Sequence, residues 1–307
     1  MPTFLTKLTH ALAEIPQSLR PTPQPQIVMT LLVKNEEEML AQNLEFHHRM
    51  GINAFIITDN NSTDRTPEII QHYQQLGWVV EVIEEHATDY EQKRWVDRMV
   101  WLAKTKHHAQ WVINADADEF WYAPGGSSLP QLLAQVNANV LHCEVRNMLP
   151  EANLPWTEWS RTVRAVPHPE TSYGLSRFSL YVPQAGKVMH RTAGYLQISM
   201  GNHKVKMLPY RKADAGIIVY HYNIRSRQQF MQKMINGGQQ LEQHKSKHGG
   251  RHWRYFYALY QESEAQLSAE YDRVIGTHAL PALTQAGFVV NDCPLPEWFK
   301  NNLKTLE

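Results

Sequence analysis

The sequence predicts an α/β fold with a mostly parallel central sheet flanked by helices, and three observations carry that expectation. Four short apolar runs, residues 27–33, 54–58, 78–83 and 111–115, alternate with segments of helical spacing, the pattern of consecutive strand-helix units. Each run breaks off into polar residues where a strand would leave the core. Where the fourth run stops, Asp116 and Asp118 stand one residue apart, which is how a buried parallel strand brings acids to a sheet edge.

Taken in order, Phe4, Leu5, Leu8, Leu12 and Ile15 fall on one side of a helix that ends before Pro16, with Lys7 its only strong base. Packing onto the domain is the favoured use of that face over docking on a membrane. Residues 16–26 hold four prolines and read as an extended linker. The first strand, 27–33, ends at Lys34-Asn35-Glu36-Glu37-Glu38, acids that suit the first turn of a helix over 39–50 closed by Gly51. The second strand, 54–58, ends in the loop from Asp59 to Pro67, rich in cap-forming residues, and a helix follows to about Leu76 with Gly77 as its stop. A third strand over 78–83, a helix over 91–106 and the strand over 111–115 complete the series. Later come a strand over 141–146, another over 217–220 that ends at His221, amphipathic helices beyond residue 250, and a tail from Pro294 that folds back on the core. The domain reading is a helix and linker over 1–26, a catalytic domain over 27–240, and a C-terminal helical extension over 241–307 packed on it.

Asp116, Asp118 and Glu119 touch an apolar strand and precede Phe120, Trp121 and Tyr122, so they need a counter-charge, and a divalent cation would supply one. The competing reading has them cap a helix or lie solvated in a loop.

Lys plus Arg and Asp plus Glu number 30 each, which removes any global electrostatic case for nucleic acid. Between residues 225 and 254 the balance tips, with Arg225, Arg227, Lys233, Lys245, Lys247, Arg251 and Arg254 against Glu242 alone. A solvated helical face explains this run, and a phosphate-bearing acceptor or an anionic membrane surface is the alternative. Cys143 and Cys293 lie too far apart for metal-type spacing, so neither a disulfide scaffold nor a zinc site is expected. No run reaches the roughly 20 apolar residues of a membrane span, and the expected location is cytoplasmic, with room for peripheral contact at the inner membrane face.

Three segments resemble the signature stretches of family 2 glycosyltransferases with the GT-A fold: Val33-Lys34-Asn35-Glu36-Glu37, Thr58 to Thr66, and Asn114-Ala115-Asp116-Ala117-Asp118-Glu119-Phe120. The likeness is to the branch in which the metal motif continues as Asp-Glu-Phe and a later His-Tyr precedes an Arg-Ser and Gln-Phe segment, here His221-Tyr222-Asn223-Ile224-Arg225-Ser226-Arg227-Gln228-Gln229-Phe230. It implies a nucleotide-sugar donor and a Mn²⁺ or Mg²⁺ ion held by Asp118, with Asp116 bridging toward the ribose or completing the metal shell. It further implies that Asn35 and Glu36 line the nucleoside pocket, that Asp59 reads the base, that Arg94 reaches the diphosphate, and that His221 contacts metal or diphosphate. The family follows that Arg with Asn, whereas Trp95 stands here. Structural readings compete with each role: capping for Asp59 and Asp64, a solvated helix face for Arg94, a satisfied core histidine for His221.

The resemblance implies inversion, with a carboxylate base past the metal motif. Glu144, Glu151, Glu158, Glu170 and Asp214 are candidates, and Glu151 and Glu158 rank first because they flank Pro155-Trp156 in an irregular aromatic stretch. Trp156 and Trp159 are then acceptor platforms or simply core. The expected function is metal-dependent transfer of a sugar to a glycan or glycolipid acceptor, in surface polysaccharide or lipopolysaccharide synthesis. The alternatives are a sugar-phosphate nucleotidyltransferase of related fold, which would need a glycine-rich phosphate loop that Lys34-Asn35-Glu36-Glu37 lacks, and a degenerate carbohydrate-binding protein.

Overall fold

The structure, a computed structural model, describes residues 2–87, 91–243 and 250–303. The chain divides into two compact units, Met1–Val145 with Ala185–Val219 and Arg146–Gln184 with Tyr220–Glu307. In chain order the first begins with α1 (Phe4–Ala13), β1 (Ile27–Val33), α2 (Leu40–Arg49), β2 (Ala54–Asp59), α3 (Thr66–Gln75), β3 (Val79–Glu84), α4 (Gln92–Thr105) and β4 (Trp111–Ala115). Then follow β5 (Glu119–Tyr122), α5 (Leu129–Ala134) and β6 (Val140–Asn147), whose end leads into β7 (Arg161–Val163) and α6 (Pro169–Tyr173) of the second unit. The chain returns for β8 (Lys187–Arg191), β9 (Tyr195–Ile198), β10 (Val205–Met207) and β11 (Lys212–His221). It ends in the second unit with α7 (Arg227–Gln243), α8 (Arg251–Glu262), α9 (Glu264–Ile275), α10 (Leu280–Gln285), β12 (Val289–Asn291) and α11 (Leu295–Asn302).

The first unit carries an eight-stranded sheet of order β3-β2-β1-β4-β8-β6-β11-β5. The pairs β2–β3, β1–β2 and β1–β4 are parallel, as the strand-helix alternation requires, whereas β8 runs antiparallel to both β4 and β6. The sheet is therefore parallel only through its first four strands and mixed beyond them. Register partners Val28 and Val112, with Ile56, pack on Val96, Met99, Val100 and Ala103 of α4. Each such side chain contributes roughly 1.5–3 kcal/mol by leaving water, enough together to hold the strand ends in fixed register.

Helix α1 does pack on this unit, but not by its apolar stripe. Lys7 is buried in an ion pair with Asp97 and sits over the Tyr195 ring, and Lys104 reaches Glu14 at 2.7 Å. These contacts turn Phe4, Leu5 and Leu12 outward, with Leu5 71% exposed.

The second unit has its own core, in which Leu149, Val163, Leu175 and Tyr181 meet Phe230, Phe256, Leu267, Val274 and Leu283 of the C-terminal helices. Antiparallel β7 and β12 pair Val163 with Val289. Helices α7 and α8 approach closely because Gly238 carries no Cβ, which would run into Tyr257. Residues 146–184 thus share their apolar interior with the C-terminal helices, so the ranges 1–26, 27–240 and 241–307 do not coincide with these two units. Within the basic run, Arg227 pairs with Asp272 at 2.7 Å and stacks over Tyr271, while Lys245 and Lys247 lie outside the described residues. Among the described residues no helix is long and apolar enough to cross a membrane.

Candidate functional site

In the order β3-β2-β1-β4 the progression of strands across the sheet changes direction between β1 and its parallel neighbour β4, and parallel α/β sheets take ligands in the crevice outside the strand ends at such a point. Register aligns those ends: Val33 of β1 is opposite Asp59 of β2, and Leu31 of β1 is opposite Ala115 of β4. Asn35, Glu36, Asp59 and the Asp116 turn, four separate expectations of the sequence, therefore come to one edge of one sheet.

The loops after β1 and β2 are tied crosswise. Asn35 adopts a left-handed backbone (φ 56°), which asparagine tolerates, and its Oδ1 accepts the Thr63 N–H at 2.8 Å while its own N–H donates to Ser62 Oγ at 3.0 Å. Glu37 accepts the Arg65 N–H at 3.0 Å, and the Glu37 N–H donates to Asp64 Oδ2 at 3.1 Å. The Glu36 N–H donates to Thr66 Oγ1 at 2.8 Å. Asp64 also accepts the Thr66 N–H at 2.9 Å, the local turn role expected of it. Asp59 Oδ1 accepts from both the N–H (3.1 Å) and the hydroxyl (2.6 Å) of Ser62, so one carboxylate oxygen orders the loop.

Asp116 to Glu119 form a tight turn, closed by the Glu119 N–H donating to the Asp116 carbonyl at 3.1 Å. Helix α2 clamps it from behind. The Asn43 amide donates to the carbonyls of Ala117 and Glu119, both at 2.9 Å, and His47 Nε2 accepts the Trp121 N–H at 3.0 Å. Asn43 and His47 are buried polar residues four apart on an otherwise apolar helix face, a signal present in the sequence.

The counter-charge that the three acids demand is present in the fold as Lys187, which opens β8. Its Nζ lies 2.7 Å from Glu119 Oε1 and 3.0 Å from Asp116 Oδ2. The Lys187 side chain is 6% exposed and that of Glu119 is 0% exposed, whereas Asp116 faces outward at 38%. Burial works against the ammonium, but Asp116 and Glu119 outweigh it and hold Lys187 above the ordinary lysine range. Nothing local in the sequence links residue 187 to residue 116; the link exists only because β8 pairs with β4.

The remaining expected residues are placed as follows. Arg94 is an exposed helix-face side chain bonded to Glu91 at 3.0 Å, while Arg98, one turn on, reaches Glu85 beyond β3 at 2.9 Å. In the second unit, Glu151 Oε1 accepts the N–H groups of Ser160 (2.7 Å) and Arg161 (3.2 Å), and its Oε2 pairs with the Arg161 guanidinium at 3.0 Å. Glu158 is exposed in a 3₁₀ turn. His221 ends β11 in the second unit, and its carbonyl accepts the Met148 N–H at 2.9 Å. Trp159 is buried and stacks on Tyr222 at 5.9 Å, and Trp156 meets Tyr222 and Phe299 edge-on. Asp214 is exposed and bonds its own turn through the Gly216 N–H, and Glu170 lies near Arg177.

Among the described residues no group of three or more His, Cys, Asp or Glu side chains is placed to hold a metal by itself. The turn nevertheless offers three carboxylates within four residues, Asp116, Asp118 and Glu119, with Lys187 set against two of them. One or two carboxylates completed by substrate phosphates is the usual way Mg²⁺ is held, in contrast to a dedicated all-protein cage.

The sequence matches the profile of glycosyltransferase family 92 over residues 28–269. No curated protein matches it. Among solved structures it is similar to S. aureus TarS 1-349 in complex with UDP-GlcNAc, at 12% identity over 85% of this chain and 75% of that one, with a TM-score of 0.42. It is also similar to GalNAc-T7 with UDP, GalNAc and Mn²⁺, at 10% identity over 81% of this chain and 57% of that one, with a TM-score of 0.42. A third is glucosyl-3-phosphoglycerate synthase from Mycobacterium tuberculosis with Mn²⁺, UDP and glucosyl-3-phosphoglycerate, at 13% identity over 78% and 84% of the two chains, with a TM-score of 0.36.

Proposed function

The chain belongs to glycosyltransferase family 92 and is a glycosyltransferase, and from that premise we propose that the edge formed by the ends of β1, β2 and β4 binds a nucleotide-sugar donor for transfer to a glycan acceptor. The observation that carries this reading is the aligned register, which brings Asn35, Asp59 and the Asp116 turn to one place from three strands. Asn35 and Glu36 line the nucleoside, Asp59 reads the base, and Asp116 takes the ribose or a metal position. Asp118 is the first-choice ligand for Mn²⁺ or Mg²⁺, with His221 as a further candidate. When bound, that ion supplies neutralising charge for the diphosphate leaving group.

The chain's own groups do the rest. The crossed loops present a preformed nucleoside wall, and the clamp from Asn43 and His47 keeps the acidic turn in place. A base must take the acceptor's hydroxyl proton. Glu151 has both oxygens committed to Arg161 and to backbone N–H groups, which favours Glu158 of the two leading candidates. Inversion and a place in surface polysaccharide or lipopolysaccharide synthesis complete the proposal. A thermal-shift screen of nucleotide sugars with Mn²⁺ tests it, because a ligand that binds only the folded state raises its melting temperature. A screen in which no nucleotide sugar stabilises the protein would overturn the reading.

A further inference from the structure

We propose that Lys187 is a positioning residue of this donor site: a built-in cation that holds Asp116 and Glu119 and sets the charge that the acidic turn offers to a divalent ion. The inference rests on the donor-site reading above and concerns how that site is tuned. Three contacts carry it. Lys187 Nζ bridges Glu119 Oε1 at 2.7 Å and Asp116 Oδ2 at 3.0 Å, and the Asp116 N–H points back to Glu119 Oε2 at 3.3 Å. The two acids are therefore cross-braced, once by their own backbone and once through the lysine.

The burial gradient shows what the brace does. Glu119 is closed off from water and Lys187 nearly so, while Asp116 is more than a third exposed. A charge buried as deeply as that of Glu119 or Lys187 is costly to separate from an opposite one, so the pairing with Glu119 holds the Lys187 ammonium in place. Its second contact then points Asp116 outward from a fixed base. The lysine also removes one negative charge from a turn of three acids. Without the lysine the same turn would attract cations more strongly and repel a diphosphate more strongly. Lys187 is fixed in this position by β8, whose Met189 is the register partner of Ile113 in β4; Ile113 is two residues from the end of β4 at Ala115, and Met189 is two residues from Lys187 at the start of β8.

An electrostatic role makes opposite predictions for cations and anions, and a merely structural role does not. Mn²⁺ affinity is measured by electron paramagnetic resonance without nucleotide, and inorganic pyrophosphate affinity by calorimetry in EDTA. Lys187→Gln should bind Mn²⁺ about tenfold more tightly and pyrophosphate about tenfold more weakly, the scale of one unit charge in a partly solvated site. Glu119→Gln shifts the charge the other way and should weaken Mn²⁺ while tightening pyrophosphate. Lys187→Arg keeps the charge and should stay close to wild type in both. Should Lys187→Gln fail to fold, Glu119→Gln carries the test. Affinities that fall together, or do not move, in the folded variants overturn the assignment. A wild-type protein that binds a nucleoside diphosphate no better than pyrophosphate would instead remove the nucleotide-sugar reading, and the Lys187 assignment would still be decided by the Mn²⁺ and pyrophosphate arms.

Discussion

The backbone N–H of Trp121 donates to Nε2 of His47 at 3.0 Å, and Nδ1 of the same ring meets the Asn43 carbonyl at 2.8 Å. The ring is therefore neutral, with its proton on Nδ1, and it couples helix α2 to the strand that leaves the acidic turn. Burial pushes its pKa down from 6.5 to about 3, with the Asn43 bond acting weakly the other way.

A pH dependence of stability follows. Between about pH 6.5 and 3 the unfolded state binds a proton at His47 and the folded state does not, so stability falls as pH falls through this window. The slope is about 1.4 kcal/mol per pH unit for one such group. His190, buried on β8 and pushed down to about 4, adds a second slope of the same sign. Urea unfolding at a series of pH values checks this, and His47→Gln should lose its share of the slope.

Asp118→Asn keeps the shape of the turn and removes a charge. Metal-dependent turnover should drop on the order of a hundredfold or more, with the melting temperature near wild type. Donor hydrolysis with Mn²⁺ in both proteins is the measurement, and equal rates would take the metal role away from Asp118.

Asp59 orders its loop and is also the residue proposed to read the base, so two variants are needed. Asp59→Ala should weaken binding of a free nucleoside diphosphate in EDTA by up to about tenfold, the worth of one lost hydrogen bond. Ser62→Ala removes the hydroxyl contact to Asp59 at 2.6 Å and the one that hydroxyl accepts from the Asn35 N–H at 3.0 Å, but leaves the backbone N–H contact and the carboxylate, so it should lower the melting temperature with a smaller effect on affinity. Equal losses of affinity in the two would assign Asp59 to loop order alone.

The two glutamates of the second unit should separate. Glu158→Gln should bind donor normally and lose transfer by about 10²–10⁴-fold. Glu151→Gln gives up the Arg161 ion pair and should cost about 1–3 kcal/mol of stability, read by urea denaturation. Transfer at the wild-type rate by Glu158→Gln would move the base elsewhere, with Asp214 next.

The residues that the sequence makes legible are those whose role is set by neighbours along the chain. Val33 to Glu36, Thr58 to Asp64 and Ala115 to Asp118 are each a strand end followed by polar residues, and the parallel register then aligns them without further information. The counter-charge for Asp116 and Glu119 was legible as a need, but its source was not: Lys187 stands about 70 residues away, and only the antiparallel pairing of β8 with β4 brings it in. The orientation of α1 is not legible in the sequence for a related reason. Periodicity pointed to Phe4, Leu5 and Leu12 as the packing face, while the distant Asp97, Tyr195 and Lys104 hold the helix through Lys7 and Glu14.

The crossed ties between the loops after β1 and β2 make those loops a single cooperative unit. Asn35 cannot swing away without releasing Ser62 and Thr63, and Glu37 cannot move without freeing Asp64 and Arg65. Opening therefore breaks several bonds at once, and amide exchange at Asn35, Glu37, Thr63 and Arg65 should report one common opening free energy in place of four separate ones. A ligand that grips either loop orders both, so little entropy is left to lose at the moment of binding.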